Sequence, residues 1–203
     1  MMIRHVPVAA ASRGDLVFVL ATEEQSLECA PALAAAVEAA HATGDQKLTF
    51  RSASVFHQPA KAACKRLGFV GLGPVAKVDT ERLRRAAAVA QAKAAEVGVA
   101  AFALQIGAAS LGEVTPEAAG MAIAEGLALG AYRYQPPSKE RSKEGKATAC
   151  QVALHGGNKA AEAAFANGLH LGQIAAAATV FARDLENQPS NLCTPTALAK
   201  AAQ

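Results

Sequence analysis

Residues 66–106, "RLGFVGLGPVAKVDTERLRRAAAVAQAKAAEVGVAAFALQI", decide the fold class. The first part, "RLGFVGLG", is an apolar run that ends at a glycine turn and predicts a strand. Asp79 is a suitable N-cap, and residues 80 to about 96 then predict a strong helix. The last part, "GVAAFALQI", is a second apolar run typical of a buried strand. Strand, helix and strand in this order predict an α/β fold with a parallel or mixed sheet covered by helices.

The same alternation continues on both sides of this unit. Upstream, we predict a strand in "GDLVFVL" (residues 14–20), a helix from about residue 30 to residue 44, and one or two strands in residues 47–56. Downstream, Thr115 followed by Pro116 predicts the start of a helix that reaches about Tyr134. "TACQVALHG" (residues 148–156) predicts another strand. The sequence therefore predicts a mixed, mostly parallel sheet.

A long helix follows the last strand, with Asn158 as its N-cap and its end near Asn187, before Pro189. Its larger apolar residues are predicted to form one broad stripe: Phe165, Leu169, Ile174, Phe181 and Leu185. Thr194 and Pro195 then begin another helix, which has little to pack against up to Gln203. We therefore expect an α/β domain in residues 1–157, a long helix in residues 158–187, and the start of a further domain in residues 188–203.

Composition restricts the class of protein. The chain has 203 residues, of which 52% are hydrophobic and 18% charged, as in a globular domain. Aromatic residues are only 4%, which argues against a stacking surface for single-stranded nucleic acid. The sequence contains neither a signal peptide at its start nor an apolar run long enough for a membrane span. The four cysteines are far apart in sequence, which predicts reduced thiols in a cytosolic protein.

One motif resembles a nucleotide-binding turn. "GLGPVA" (residues 71–76) has the G-x-G-x-x-A spacing of a dinucleotide-binding loop. However, Pro74 has no N–H to offer a phosphate, the helix begins several residues late, and Glu96 lies inside a helix. We interpret the motif as a tight turn after a strand.

No catalytic constellation is evident in the sequence. It contains no nucleophile elbow, no phosphate-binding P-loop and no H-E-x-x-H, so we predict no catalytic, cofactor or metal site within this chain. The basic run "SKERSKEGK" (residues 138–146) is either a solvated loop or a set of phosphate contacts. Its cationic residues are Lys139, Arg141, Lys143 and Lys146.

The segment "ARDLENQPSNLCTPTALAKAA" (residues 182–202) resembles the junction segment of the leucyl aminopeptidase family, also called cytosol aminopeptidases. The family pattern is roughly A-R-D-L-x-N-x-P-x-N-x-x-x-P, and this sequence departs from it at Gln188. Two upstream segments, "FVGLG" (residues 69–73) and "AEGLALGAYRYQPPSK" (residues 124–139), are also similar to the family. We call the matching polar and proline residues the linker motif: Arg183, Asp184, Asn187, Pro189, Asn191 and Pro195.

The resemblance implies a division of labour within a longer protein. Members of the family have an N-terminal domain similar to macro domains, followed by a catalytic domain that holds two divalent metals, Mn or Zn. The metal-binding motifs of that catalytic domain, similar to V-G-K-G-x-x-x-D-S-G-G and N-T-D-A-E-G-R, are not found in this sequence. The resemblance thus implies a cytoplasmic, hexameric aminopeptidase that acts on peptides, and we expect this chain alone to be inactive.

A stand-alone binding module is the alternative. The macro-like resemblance makes ADP-ribose or another nucleotide the first ligand to consider, with phosphate contacts at Gly71, Gly73, Gly156 and Gly157. DNA is a further alternative, because some bacterial members of the family bind DNA, and the basic run of residues 138–146 would then contact phosphates.

Overall fold

The computed structural model describes residues 1–24, 29–57, 59, 62–135 and 149–202. The described residues form one six-stranded sheet with the order β1-β6-β5-β2-β4-β3. Only the pairing of β3 with β4, at one edge, is antiparallel. The mixed, mostly parallel sheet is thus confirmed. Its strands are β1 Met2–His5, β2 Val17–Thr22, β3 Ala53–His57, β4 Arg66–Gly73, β5 Ala101–Gly107 and β6 Ala149–His155.

Four helices begin directly after the predicted capping residues Asp79, Thr115, Asn158 and Thr194. The side chain of Asp79 accepts a hydrogen bond from the N–H of Arg82 at 2.7 Å, and that of Asn158 accepts one from the N–H of Ala161 at 2.9 Å. Each bond satisfies a donor in the first turn that has no partner within its helix. The helices are α1 Val8–Ala11, α2 Ala34–Ala42, α3 Thr80–Val97, α4 Pro116–Ala131, α5 Lys159–Glu186 and α6 Pro195–Ala201.

The sheet has a hydrophobic core on each face. All six residues of β2 are buried, because helices cover both faces of this central parallel strand. On one face α3 and α4 cover the sheet, and α5 packs against α4. On the other face α1 and α2 cover a second core that contains Val19, Leu33, Val37 and Phe69.

Three predicted boundaries differ from the structure. Residues 30–33 form a turn, so α2 begins at Ala34. Residues 47–52 are a loop rather than a strand, and Arg51 has a φ of 67° there. The helix predicted to reach Tyr134 ends at Ala131, where the Arg133 guanidinium donates to the carbonyls of Gly130 and Tyr132 at 3.3 and 2.7 Å. The short elements β1 and α1 were not predicted.

The backbones of helices α4 and α5 approach each other closely at two glycines of α5. A Cβ on Gly168 of α5 would lie 1.9 Å from the carbonyl oxygen of Glu117 in α4, and one on Gly172 would lie 2.3 Å from that of Met121. Glycine is therefore required at these contacts, since any side chain would force the helix backbones apart.

The predicted single apolar stripe on α5 is wrong. Phe165 and Leu169 are buried against α4, whereas the side chains of Ile174 and Phe181 are 56% and 52% exposed. Each residue turns an α-helix by about 100°, so Ile174 lies about 140° around the axis from Leu169. The helix thus has two apolar faces, of which one is buried in the described domain.

Candidate functional site

Two segments that are far apart in sequence meet at Tyr132, just after the end of α4. The Tyr132 hydroxyl donates a hydrogen bond to Oδ1 of Asp184 at 2.9 Å. The side-chain amide of Asn187 in turn donates to the hydroxyl oxygen of Tyr132 at 3.4 Å. Both partners belong to the linker motif, so the motif fastens the end of α5 to the end of α4.

Arg183 and Asn187 complete this arrangement. The guanidinium carbon of Arg183 lies 5.8 Å from the centre of the Tyr132 ring, within the range of a cation–π contact. The backbone N–H and the side-chain amide of Asn187 donate to the Arg183 carbonyl at 3.0 and 2.7 Å, which satisfies a carbonyl in the last turn of α5. We call Tyr132, Arg183, Asp184 and Asn187 the Tyr132 junction.

The surroundings of Tyr132 in the junction change the pKa of its hydroxyl group. Partial burial of the hydroxyl and its hydrogen bond to Asp184 raise the pKa of Tyr132 above its ordinary value. The hydrogen bond from Asn187 and the charge of Arg183 act in the opposite direction but do not reverse the rise. Tyr132 therefore stays protonated at neutral pH and keeps donating to the carboxylate.

The remaining linker-motif residues shape the chain after α5. The carbonyl of Pro189 accepts hydrogen bonds from the N–H groups of Leu192 and Cys193 at 2.9 and 3.0 Å, which closes a turn. Asn191 is exposed within this turn, and Pro195 is the first residue of α6. The structure thus brings three of the six linker-motif residues to Tyr132 and places the other three in the following turn and helix.

The candidate phosphate contacts at Gly71 and Gly73 are occupied by other groups. Their N–H groups donate to the carbonyls of Ser52 and Leu48 at 3.0 and 2.9 Å. The N–H of Val75, which follows Pro74, donates to Oε2 of Glu24 at 2.9 Å. These bonds join the glycine turn to neighbouring loops, as expected for the interpretation as a structural turn.

The other candidate sites are not assembled by what the structure describes. Gly156, with a φ of 77°, and Gly157 lie between β6 and α5, and their role as phosphate contacts stays a prediction. The basic residues Lys139, Arg141, Lys143 and Lys146 lie outside the described residues.

The described residues contain neither a metal-binding cluster nor a membrane-spanning helix. Within them, no group of three or more His, Cys, Asp and Glu side chains is placed to hold a metal ion. None of the described helices combines the length and apolar character that crossing a membrane requires.

Comparison with known proteins identifies the family. The model of the "cytosol aminopeptidase family, N-terminal domain" matches residues 16–136, which is more than half of the chain. The chain belongs to the cytosol aminopeptidase family. The match concerns the N-terminal domain of that family and includes residues 69–73 and most of residues 124–139, but it ends before residues 182–202.

Relatives of this aminopeptidase-family domain are much longer. The probable cytosol aminopeptidase of Roseiflexus castenholzii is 34% identical over 139 residues, which are 68% of this chain and 28% of that protein. That of Acidobacterium capsulatum is 33% identical over 178 residues, which are 85% of this chain and 33% of that protein. The chain thus spans about a third or less of these curated relatives.

Solved structures share the fold. A mutant of tomato leucine aminopeptidase superposes with a TM-score of 0.70 at 22% identity, over 100% of this chain and 41% of that chain. The bottromycin maturation enzyme BotP, solved in complex with Mn, has a TM-score of 0.64 at 24% identity over 92% of this chain and 34% of that chain.

Both halves of the Tyr132 junction lie in segments whose sequences resemble the family, but the sequence does not predict that the two halves meet. Tyr132 lies in the segment of residues 124–139 and Asp184 in the linker motif, and each segment separately resembles the family. The contact spans 52 positions in sequence, and no local pattern pairs residues at that distance. The one available signal was that both matching segments contain polar side chains at predicted helix ends.

Proposed function

We propose that this chain is the non-catalytic N-terminal domain of a metal-dependent leucyl aminopeptidase. The parent protein would remove N-terminal residues, often leucine, from peptides by means of a C-terminal catalytic domain. The observation that carries the proposal is that the charged residues of the linker motif contact Tyr132 at the end of α4. These contacts of Asp184 and Arg183 support a structural role for the two charged groups at the end of α5.

The proposal divides the chain into three parts. Residues 1–157 form the macro-like α/β domain, residues 158–187 form the long helix that leads to the linker, and residues 188–203 begin the catalytic domain. The partner of this domain is then its own catalytic domain, within a cytoplasmic homo-oligomer that the family resemblance implies to be a hexamer.

The proposed parent uses two divalent metals, Mn or Zn, in its catalytic domain. Such a pair of ions activates a water molecule and stabilises the oxygens of the reacting peptide bond. The described residues of this chain do not provide the cluster of carboxylates that the ions need, so we assign none of them to metal binding. Their contribution is to position the chain that leads to the catalytic domain.

The test is the metal-dependent activity of the full-length protein that carries this domain. We expect the protein to hydrolyse leucine p-nitroanilide, to lose this activity after removal of metals with a chelator, and to regain it when Mn²⁺ or Zn²⁺ is added. A well-folded full-length protein that does not hydrolyse this substrate or leucyl peptides with either ion would overturn the proposal.

A further inference from the structure

Helix α5 extends beyond the part of the domain that buries it. Its 28 residues span about 42 Å, whereas the 16 residues of α4, against which it packs, span about 24 Å. The buried residues of α5 end at Ala176, and none of the ten residues from 177 to 186 is buried. The last third of α5 is therefore only partly covered by the domain, and the Tyr132 junction fastens its end.

The side of α5 away from α4 carries large apolar side chains. Leu171, Ile174 and Phe181 are 39%, 56% and 52% exposed. Together with the exposed Ala178 they follow one another at intervals of three, four and three residues, the spacing that places side chains on one face of a helix. We call Leu171, Ile174, Ala178 and Phe181 the outer stripe.

The outer stripe has the chemistry of a permanent interface. Its four residues are all uncharged and apolar, and depletion of charge is typical of the fully buried centre of an interface. Exposed apolar residues that are contiguous on one element, unlike single scattered ones, mark an interaction surface.

We propose that the outer stripe is the surface on which the catalytic domain of the same polypeptide packs. This inference rests on the proposed function, because it names the surface through which the two domains contact each other. The chain matches an N-terminal domain and spans 28% and 33% of two curated relatives, so about two thirds of such a protein lies outside the matched region.

Covalent connection favours this occupant over a second copy of the chain. The outer stripe ends at Phe181, only six residues before Asn187, where α5 stops. A domain that follows so closely in the chain is present at a high effective concentration, typically in the millimolar range for a short linker. The Tyr132 junction also fixes the direction of the end of α5, which reduces the entropy lost when the following domain packs on it.

Thiol labelling tests the proposal. Ile174→Cys and Phe181→Cys are made separately in a Cys193→Ser background, because Cys193 is half-buried while the other three cysteines are buried. Ala92→Cys, at an exposed position of α3, is the matched control. Each variant is prepared as the 203-residue chain and as the full-length protein, and the rate of maleimide labelling at the introduced cysteine is measured by peptide mass spectrometry.

We expect the three cysteines to react at similar rates in the 203-residue chain. In the full-length protein, both stripe cysteines should react at least about tenfold more slowly, while Ala92→Cys keeps its rate. Equal rates for the stripe cysteines in the two samples would overturn the inference. Peptidase activity of the full-length samples is measured in parallel, so that an active protein with unprotected cysteines contradicts the inference alone.

Sedimentation of the 203-residue chain tests a second copy as the occupant. We expect a monomer at micromolar concentration for both the original chain and Phe181→Lys. A dimer that Phe181→Lys converts to a monomer would show that a second copy covers the stripe, and would overturn the assignment to the catalytic domain.

Discussion

At the scale of single residues, the Tyr132 junction links the two segments that resemble the aminopeptidase family. Asp184 accepts a hydrogen bond from the Tyr132 hydroxyl, and Asn187 both caps the end of α5 and donates to the same hydroxyl oxygen. A carboxylate acceptor makes this hydrogen bond stronger than one between neutral groups. Three of the six linker-motif residues, Arg183, Asp184 and Asn187, thus make their contacts with one tyrosine.

Titration of the tyrosines tests the junction. The chain contains two tyrosines and no tryptophan, so the ultraviolet absorbance of tyrosinate can be followed without interference. Subtracting the titration of Tyr132→Phe from that of the original chain should give a pKa for Tyr132 above the ordinary value of about 10. Asp184→Asn should lower this pKa, because the hydrogen bond to the carboxylate favours the protonated tyrosine.

The same pKa shift predicts how stability depends on pH. The pKa of Tyr132 is higher in the folded chain than in the unfolded chain. The protonated tyrosine therefore contributes its full stabilisation below about pH 10, and this contribution is lost as the pH rises through the raised pKa. Tyr132→Phe should therefore flatten the decrease in unfolding free energy at alkaline pH. An unchanged alkaline decrease in Tyr132→Phe would argue against the junction.

The buried hydrogen bonds of Gln105 predict the effect of a single substitution on the stability of the fold. It is 1% exposed; its Oε1 accepts from the N–H of Ala30 at 3.3 Å, and its Nε2 donates to Oγ of Ser12 at 3.0 Å. Gln105→Leu would leave the buried N–H of Ala30 without this acceptor, which should lower the unfolding free energy by about 1–3 kcal/mol. Urea denaturation measures the loss, and Gln151→Leu, at an exposed position of β6, should stay within about 0.5 kcal/mol of the original chain.

At the scale of secondary-structure elements, the packing of α4 against α5 depends on glycine. Gly168→Ala removes a flexible residue from a helix, which alone would stabilise the helix by about 1 kcal/mol. Its new Cβ would, however, meet the Glu117 carbonyl at 1.9 Å, and overpacking of this kind typically costs about 1–3 kcal/mol.

We therefore expect a net loss of stability for Gly168→Ala and little change for Gly130→Ala. Gly130→Ala is the matched control near the end of α4. A Cβ at this position would have its nearest contact at 3.0 Å, with the Cα of Ala88. Thermal denaturation followed by circular dichroism compares the two variants. If Gly168→Ala were as stable as Gly130→Ala, the close approach of α4 and α5 would be wrong.

Prediction from sequence succeeded where the signals were local. Asp79, Thr115 and Asn158 cap the helices that they were predicted to cap, because a capping bond joins residues only three positions apart. The end of α4 and the two apolar faces of α5 could not be predicted in this way. At the end of α4 the Arg133 guanidinium donates to two backbone carbonyls. The two faces of α5 depend on which of them α4 covers.

At the scale of the whole molecule, the sheet and the helices on its two faces form a domain whose long helix leads away from the core. Gly71 and Gly73 were candidate phosphate contacts, but their N–H groups bind to the loop of residues 47–52, which local sequence patterns do not show. The outer stripe runs from the middle of α5 towards its end, where the Tyr132 junction fastens the helix. Both features support the proposal that this domain positions the catalytic domain of the same protein.

The most direct test of this division of labour is the turnover of leucine p-nitroanilide by the 203-residue chain beside the full-length protein, at equal concentrations and with Mn²⁺ or Zn²⁺ added. This division of labour predicts turnover by the full-length protein and none above background by the 203-residue chain. Turnover by the 203-residue chain at a comparable rate would contradict it, because its own residues would then have to supply the catalytic centre that we assign to the other domain.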